Sequence, residues 1–482
     1  MSTLQDLSKV LSRKQAILEE SAAGVEQQKK SGKQAARERI ALLLDGGSFV
    51  EQSMLAQDAG VVAGSGTVDG RPVFVFAQDF AVMDGAMGAK QAKKIVKILE
   101  QARKTGTPVV AMCDSNGARV GEGAAALEAY ADVFAHMARL SGVVPMISLV
   151  LGPCVGAAAM MAKLSDVVIV SKPAGALMMA GPQVLASAMK KDVKAEELGG
   201  ADVAVKTGAA HFACETEADA FAKAKAVLAM LPANNLAGPA LFDFAAPSKA
   251  LDLVKYTAAD AVAALADEGS AVELYAGYGK NIVTALATIN GSAVGIVATE
   301  KKALCHKCTA KAARFVRLCD AYSIPVVTIV NTEGFGRSEG DDEAGGIRQA
   351  ARMAGVYAEA TTVKVAVLAG EAVGPAYTVF AACADWRVAV QGCTVAPLAP
   401  EAAVTVLYKD EIFASDNIVN ATKAKAAAYT KEVCSADAAV ANGSADAVAD
   451  AATARASVAQ ALDMLVGKRA VRLAKKHGNI TL

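Results

Sequence analysis

The sequence predicts an α/β fold built twice, and three observations carry that prediction. The segment Lys94–Ala118, KIVKILEQARKTGTPVVAMCDSNGA, runs parallel to Lys311–Phe335, KAARFVRLCDAYSIPVVTIVNTEGF. Their leading lysines, their Pro-Val-Val and their late glycines coincide at one offset: 325 − 108 = 217 and 334 − 117 = 217. Further on, Gly156-Ala-Ala faces Gly374-Pro-Ala at an offset of 218. Short apolar runs alternate with segments of helical periodicity, the grammar of βαβ units. The apolar content is 54% with a mean hydropathy of +0.32, supplied by Ala and Val far more than by aromatic residues. The longest apolar runs, such as Val143–Leu151, fall well short of the ~20 residues of a membrane helix. They predict buried strands, close-packed helices and a large subunit interface.

In chain order, Ser2–Leu44 has helical periodicity and many charges and predicts a helical arm. Strands follow at Gly60–Ser65 and Pro72–Phe76, a helix at Lys90–Gln101, a buried strand at Val109–Cys113 and a helix at Gly123–Met137. Pro145–Leu151 is the next buried strand, a helix opens near Ala157, and Val167–Val170 is a further strand. Leu231–Lys249 contains Pro232, Pro239 and Pro247 and predicts the linker between a domain 1–240 and a domain 250–482. The Ala-rich tail Asn420–Ala474 predicts packed helices with little chemistry.

Lys+Arg and Asp+Glu both total 49, and no basic block with interleaved aromatics appears, which argues against nucleic acid as a partner. The first residues lack an apolar signal-peptide core, and nine irregularly spaced cysteines fit reduced thiols, so the expected location is cytoplasmic.

The chemistry-bearing candidates are turns. Gly152-Pro-Cys-Val-Gly156-Ala157-Ala158 follows an apolar strand and opens a helix. Such a turn points unpaired N–H groups at a ligand, and these favour an oxygen carrying negative charge. A tight turn without a ligand has the same sequence; repetition in register favours the functional alternative. Asp114-Ser-Asn-Gly117-Ala118-Arg119 ends the strand before it. Ser115 lacks the Gly-x-Ser-x-Gly setting of a nucleophile, and four histidines without fixed partners make a triad hard to assemble, so Ser115 is expected to shape the turn. Cys305-His-Lys-Cys308 is a single C-x-x-C without a second pair at zinc spacing, and neither metal nor redox chemistry is assigned to it. Ala188-Met-Lys-Lys191 lacks the setting of a biotin attachment site. Gly64-Ser-Gly66 followed by Gly70 is not a dinucleotide fingerprint.

Several segments together resemble the carboxyltransferase subunit of biotin-dependent acyl-CoA carboxylases and the related acyl-CoA decarboxylases. They are Ala36–Glu51, VFVFAQDFAVMDGAMG (Val73–Gly88), DSNGARVGEG (Asp114–Gly123), GPCVGAAA (Gly152–Ala159), EELGGADVAVKTGAAHF (Glu196–Phe212) and Lys311–Phe335. The order is kept over roughly residues 30–420. The resemblance implies two tandem crotonase-like domains with a ββα superhelical core, the first binding acyl-CoA and the second binding biotin. It also implies a homo-oligomer, dimer-based or hexameric, in which the first domain of one subunit faces the second domain of another. Partners implied are an acyl-CoA, a separate biotin carboxyl carrier protein, and a biotin carboxylase or a membrane decarboxylase subunit; no metal is expected.

The activity implied is CO2 transfer between carboxybiotin and the α carbon of a small acyl-CoA of acetyl-, propionyl- or methylmalonyl-CoA type. The reverse, decarboxylation of a methylmalonyl- or glutaconyl-type CoA, uses the same enolate, and a non-catalytic acyl-CoA scaffold is the third alternative. Carried over by resemblance, Gly156 and Ala157 form a hole for the thioester oxygen, and Gly374 and Ala376 one for biotin. Gly117, Ala118, Tyr377 and Thr378 bind substrate, Thr378 standing where the family tunes acyl choice. Three departures stand out: Pro375 replaces a usual glycine and has no N–H, Asn116 replaces a glycine, and Gly121 replaces a glutamine.

Overall fold

The computed structural model describes residues 2–30, 32–55, 60–190, 192–470, 474–476 and 479. Lys191 of the Ala188–Lys191 segment and His477 lie outside them. The chain divides into two units, Met1–Ala237 and Gly238–Leu482.

The first unit is built on one eight-stranded sheet. Its strands are β1 (Val50–Gln52), β2 (Val61–Val68), β3 (Arg71–Gln78), β4 (Val109–Ser115), β5 (Met146–Val155), β6 (Val167–Ser171), β7 (Ala176–Met178) and β8 (Phe212–Cys214). The order is β1-β2-β3-β4-β5-β6-β8, with β7 paired to the far end of β5. β1, β2 and β3 are antiparallel, and every later pairing is parallel. Antiparallel β2 and β3 followed by the helix Ala89–Thr105 and then β4 make the ββα unit. The predicted strands and helices stand where the periodicity put them, with ends longer by up to about five residues.

Burial explains the sequence pattern. β4 is buried along its whole length, as a parallel strand covered on both faces must be. The helices Ala89–Thr105 and Ala124–Leu140 set Ile95, Ile98, Leu99, Tyr130, Val133 and Met137 into one core with Phe76, Ala111 and Val150 of the sheet. The repeated lysine has a definite job. Lys94 is buried and donates from Nζ to the carbonyl of Val61, the first residue of β2, at 2.6 Å. Burial holds its pKa below the usual lysine range.

The second unit repeats the plan with β9 (Val272–Glu273), β10 (Ile282–Ile289), β11 (Ser292–Thr299), β12 (Val326–Thr332), β13 (Lys364–Val373), β14 (Trp386–Val390), β15 (Thr394–Ala396) and β16 (Ala447–Ala449). The order is β9-β10-β11-β12-β13-β14-β16, with β15 on β13. Lys311 is the counterpart of Lys94: its buried Nζ donates to the carbonyl of Ile282, the first residue of β10, at 2.8 Å. The tail is not purely helical, since β16 closes the sheet against β14. A three-residue strand is too short to display a period of two, which is why the sequence hid it. Nor is the tail inert: Arg455 donates to buried Asp267 at 2.6 Å. No described helix is long and apolar enough to cross a membrane.

The N-terminal arm is a helix Ser2–Lys30 and a second helix Ala36–Leu43. The second is tied down by charge. Arg39, fully buried, donates to Asp114 Oδ2 at 2.7 Å, to Glu217 and to the carbonyl of Leu151 at 3.0 Å; Lys33 reaches Asp114 Oδ1 at 2.8 Å. Asp114 is at the end of β4, beside the turn that follows. The second unit holds Asn331 at the equivalent place, where it accepts the Glu371 N–H at 3.1 Å. Asp114→Asn therefore leaves buried Arg39 and Lys33 short of a countercharge in a place where a neutral amide serves the other unit. The expected loss is about 3–5 kcal/mol, read by denaturant unfolding; Asn331→Asp, which buries an unpaired carboxylate, should also destabilise.

Candidate active site

In each unit two neighbouring parallel strands end in turns that lie side by side. The pairing of β4 with β5 slips between Cys113 and Ser115, so that Ser115 comes opposite Cys154. Beyond it Gly117 adopts φ +102, and a side chain there would meet the carbonyl of Val155, the last residue of β5, at 3.2 Å. Gly156 then turns the chain with φ +58 and ψ −121 and caps the short helix Ala157–Lys163. That conformation is open essentially to glycine alone.

Three bonds fix the first turn. The Gly117 N–H donates to Ser115 Oγ at 3.1 Å, the Met87 N–H donates to the Gly117 carbonyl at 2.9 Å, and the Arg119 N–H donates to the Met87 carbonyl at 2.9 Å. Tyr130 Oη adds a bond to the Gly117 carbonyl at 3.2 Å. Ser115 is thus a turn-shaping residue, as expected. These bonds skip the N–H of Ala118, which has no acceptor among the described residues. Ala157, first residue of its helix, likewise has an N–H without an acceptor there. At these two turns Ala118 and Ala157 each present an N–H without an acceptor among the described residues.

Gly156 is not a donor, contrary to the sequence expectation. Its N–H is spent on the carbonyl of Met178 in β7 at 2.8 Å. The glycine supplies the turn and the next residue supplies the N–H. Sequence alone could not show this, because the acceptor comes from a three-residue strand more than twenty positions away.

The second unit reproduces the three bonds that fix the turn, without a counterpart of the Tyr130 bond among the described residues. The pairing of β12 with β13 slips between Val330 and Thr332, and Thr332 Oγ1 accepts the Gly334 N–H at 3.2 Å. Gly334 has φ +98. The Leu304 N–H donates to the Gly334 carbonyl at 2.8 Å and the Gly336 N–H donates to the Leu304 carbonyl at 2.9 Å, leaving the N–H of Phe335 open. Gly374 turns with φ +60 and ψ −140, and its N–H goes to the Ala396 carbonyl at 2.8 Å. So Gly374 too is a turn residue and not a donor. Pro375 occupies the place of Ala157 and cannot donate; Ala376, the next residue, is buried with its N–H open.

Of the remaining predicted residues, Tyr377 commits its hydroxyl to the Ser444 carbonyl at 2.6 Å, and Thr378 is exposed on the same short helix. The structure brings Gly117, Ala118, Gly156 and Ala157 together in one unit and Gly374, Ala376, Tyr377 and Thr378 in the other. Sequence reasoning missed Phe335 and Leu304 as members of the second turn. The signal was present, since both follow from the 217 offset applied to Ala118 and Met87.

Two of the histidines are engaged away from the turns: His211 Nδ1 accepts the Val168 N–H at 3.0 Å, and His136 sits by Asp132 and Glu100 on a helix face. Open N–H donors held in fixed turns can stabilise negative charge developing on a carbonyl oxygen. A Gly156→Ala variant tests the turn itself. The added Cβ would meet the Met179 carbonyl at an ordinary 3.6 Å, so the cost is conformational rather than steric. It should be about 1–3 kcal/mol in denaturant unfolding.

The carboxyl transferase domain family matches residues 27–480. The 12S subunit of methylmalonyl-CoA carboxyltransferase from Propionibacterium freudenreichii subsp. shermanii is 36% identical, covering 99% of this chain and 98% of its own. The α subunit of methylmalonyl-CoA decarboxylase from Veillonella parvula is 35% identical, with 100% of both chains covered. The β chain of propionyl-CoA carboxylase from Saccharopolyspora erythraea is 36% identical, covering 97% and 94%. Among solved structures, a transcarboxylase 12S hexamer with methylmalonyl-coenzyme A and methylmalonic acid bound superposes with a TM-score of 0.93 at 36% identity, covering 99% of this chain and 98% of that one. The fold is accordingly the tandem crotonase-like one.

Proposed function

The chain belongs to the carboxyl transferase domain family, and from that membership we propose that this carboxyltransferase moves CO2 between carboxybiotin on a separate carrier protein and the α carbon of a small acyl-CoA of the propionyl- or methylmalonyl-CoA type. The observation that carries the proposal is the duplicated turn, with the N–H groups of Ala118 and Ala157 open in one unit and those of Phe335 and Ala376 open in the other. The substrates named for the similar 12S subunit and its solved structure support the acyl class.

In this proposal the N–H groups of Ala118 and Ala157 hold the thioester oxygen of the acyl-CoA. Loss of the α-proton places negative charge on that oxygen, and donors already aimed at it stabilise the enolate without reorganising. Gly117 lets the thioester approach the backbone, and Gly156 sets the direction of the Ala157 N–H. The second unit takes the biotin side, with Phe335 and Ala376 as donors. Their open N–H groups and the turn at Gly374 suit a urea oxygen, and Pro375 removes one donor without removing the pair. Biotin, when bound as its carboxylated form, supplies CO2 and a ureido nitrogen able to take the α-proton. Thr378, exposed beside Ala376 and Tyr377, contributes to the choice of acyl group, and Tyr377 positions it through the bond to Ser444. The working protein is a homo-oligomer in this proposal.

A decarboxylase working in the opposite direction is the second reading, favoured by the full-length similarity to the Veillonella α subunit. The same turns would serve it, since both directions pass through one enolate. Purified protein given carboxybiotin with a panel of acyl-CoA thioesters, and free biotin with a panel of malonyl-type CoA thioesters, separates the two. Net carboxylation supports the first reading, and CO2 release from a malonyl-type thioester supports the second.

The two turns make sharper tests. Ala157→Pro removes one N–H at a helix position that accepts proline, so the fold should persist. Transfer should fall about 10²–10³-fold in kcat, with the circular dichroism spectrum unchanged. Pro375→Ala restores a donor in the other unit. If Phe335 and Ala376 already complete that hole, transfer to free biotin should change by less than about threefold; a rise of about 10²-fold would mean that Pro375 leaves the hole short of a donor.

A further inference from the structure

The C-x-x-C segment takes no part in the proposed reaction, yet it sits at a definite place in the fold. Cys305 is the N-cap of the helix His306–Ala321, and Cys308 lies in its first turn. Their sulfurs are 3.3 Å apart. In the first unit, 217 residues earlier (305 − 88 and 308 − 91), the same positions are Gly88 and Gln91. There the Gly88 N–H donates to Gln91 Oε1 at 2.9 Å and the pair caps the helix Ala89–Thr105. The second unit has replaced that capping pair with two facing thiols. Cys305 is partly exposed and Cys308 is buried behind it.

The setting also activates one sulfur over the other. The hydrogen bond from Cys308, the backbone N–H groups of Cys308 and Lys307, and neighbouring His306 hold the Cys305 thiol down at about 5. Hydrogen bonding to Cys305 and burial push Cys308 up, so it keeps its proton. An accessible thiolate at a helix N-terminus with a buried thiol beside it is the arrangement of a dithiol that undergoes disulfide exchange. The pair is also wired to the second turn. Leu304, the residue before Cys305, makes the two bonds that hold Gly334 and Gly336 on either side of Phe335.

We propose that Cys305 and Cys308 form a reversible dithiol–disulfide site, oxidised by a small-molecule disulfide, whose state is felt at the Gly334–Gly336 turn through Leu304. The Cys305 thiolate attacks one sulfur of the small disulfide, forming a mixed disulfide and releasing one thiolate. Cys308 then gives its proton to solvent and attacks the Cys305 sulfur, expelling the second thiolate. Starting from the Cys305 thiolate, the protein loses two electrons and the one proton of Cys308, and the small disulfide becomes one thiolate and one thiol. Closure brings the sulfurs from 3.3 Å to about 2.05 Å, which draws on the helix cap next to Leu304.

The full chain, equilibrated in a series of reduced and oxidised glutathione, tests this by maleimide labelling, intact mass and peptide mapping. The expected result is joint loss of two labelled thiols in one two-electron step, a mass lower by two hydrogens, a Cys305–Cys308 peptide, and full reversal by reductant. Cys305→Ser and Cys308→Ser should each abolish the step. Persistence of all nine thiols, or a mixed disulfide on Cys305 that Cys308 never displaces, overturns the site. The effect on the turn rests on the proposed biotin role and is read separately. Oxidised protein should transfer CO2 to free biotin at least about fivefold more slowly, while the Cys305→Ser variant ignores the oxidant. Disulfide formation with an unchanged rate overturns the link through Leu304 and leaves the thiol chemistry standing.

Discussion

A glycine at positive φ closing a buried parallel strand is the constraint on which the rest of each unit depends. At Gly156 and Gly374 the chain must leave the sheet and enter a helix within one residue. The glycine ties its own N–H to a short strand beyond, β7 or β15, and so presents the following peptide outward. An N–H left without a partner in a half-buried turn costs about 1–3 kcal/mol. The turn keeps that cost because strand pairing, the register slip and the Ser115 or Thr332 hydroxyl over-determine its shape. Open donors held this firmly are suited to charge that appears only during reaction.

The two units share this geometry and differ in how they support it. The first secures the end of β4 with the Arg39–Asp114–Lys33 ion cluster from the N-terminal arm, and the second uses the neutral Asn331. The first caps its long helix with Gly88 and Gln91, the second with a thiol pair. The first opens its turn helix with Ala157, the second with Pro375. Each difference falls within a residue or two of a turn, where the duplicated frame tolerates new chemistry because strand pairing fixes the backbone.

Much of this was legible in the sequence. The 217 offset located both turns, and buried strands such as Val109–Cys113 announced themselves as continuous apolar runs. Lys94 and Lys311 were visible as a repeat, and the structure gives the reason: each serves the first carbonyl of an antiparallel strand. The donors were harder to read. A backbone N–H carries no residue signature, and whether Gly156 or Ala157 is open depends on an acceptor in β7, a strand too short to be seen by periodicity. Phe335 escaped notice because an open N–H belongs to the backbone and leaves no mark on the side chain. β16 stayed hidden in an Ala-rich tail for the same reason as β7.

In the proposed reaction backbone donors, Ala118 and Ala157, receive the acyl thioester oxygen. A crystal structure of the protein with a non-reactive acyl-CoA analogue tests it most directly. The thioester carbonyl oxygen should lie about 2.7–3.1 Å from both nitrogens, with no side-chain hydroxyl or thiol in their place. A thioester oxygen bound to side chains, or seated at the Phe335–Ala376 turn, would contradict it.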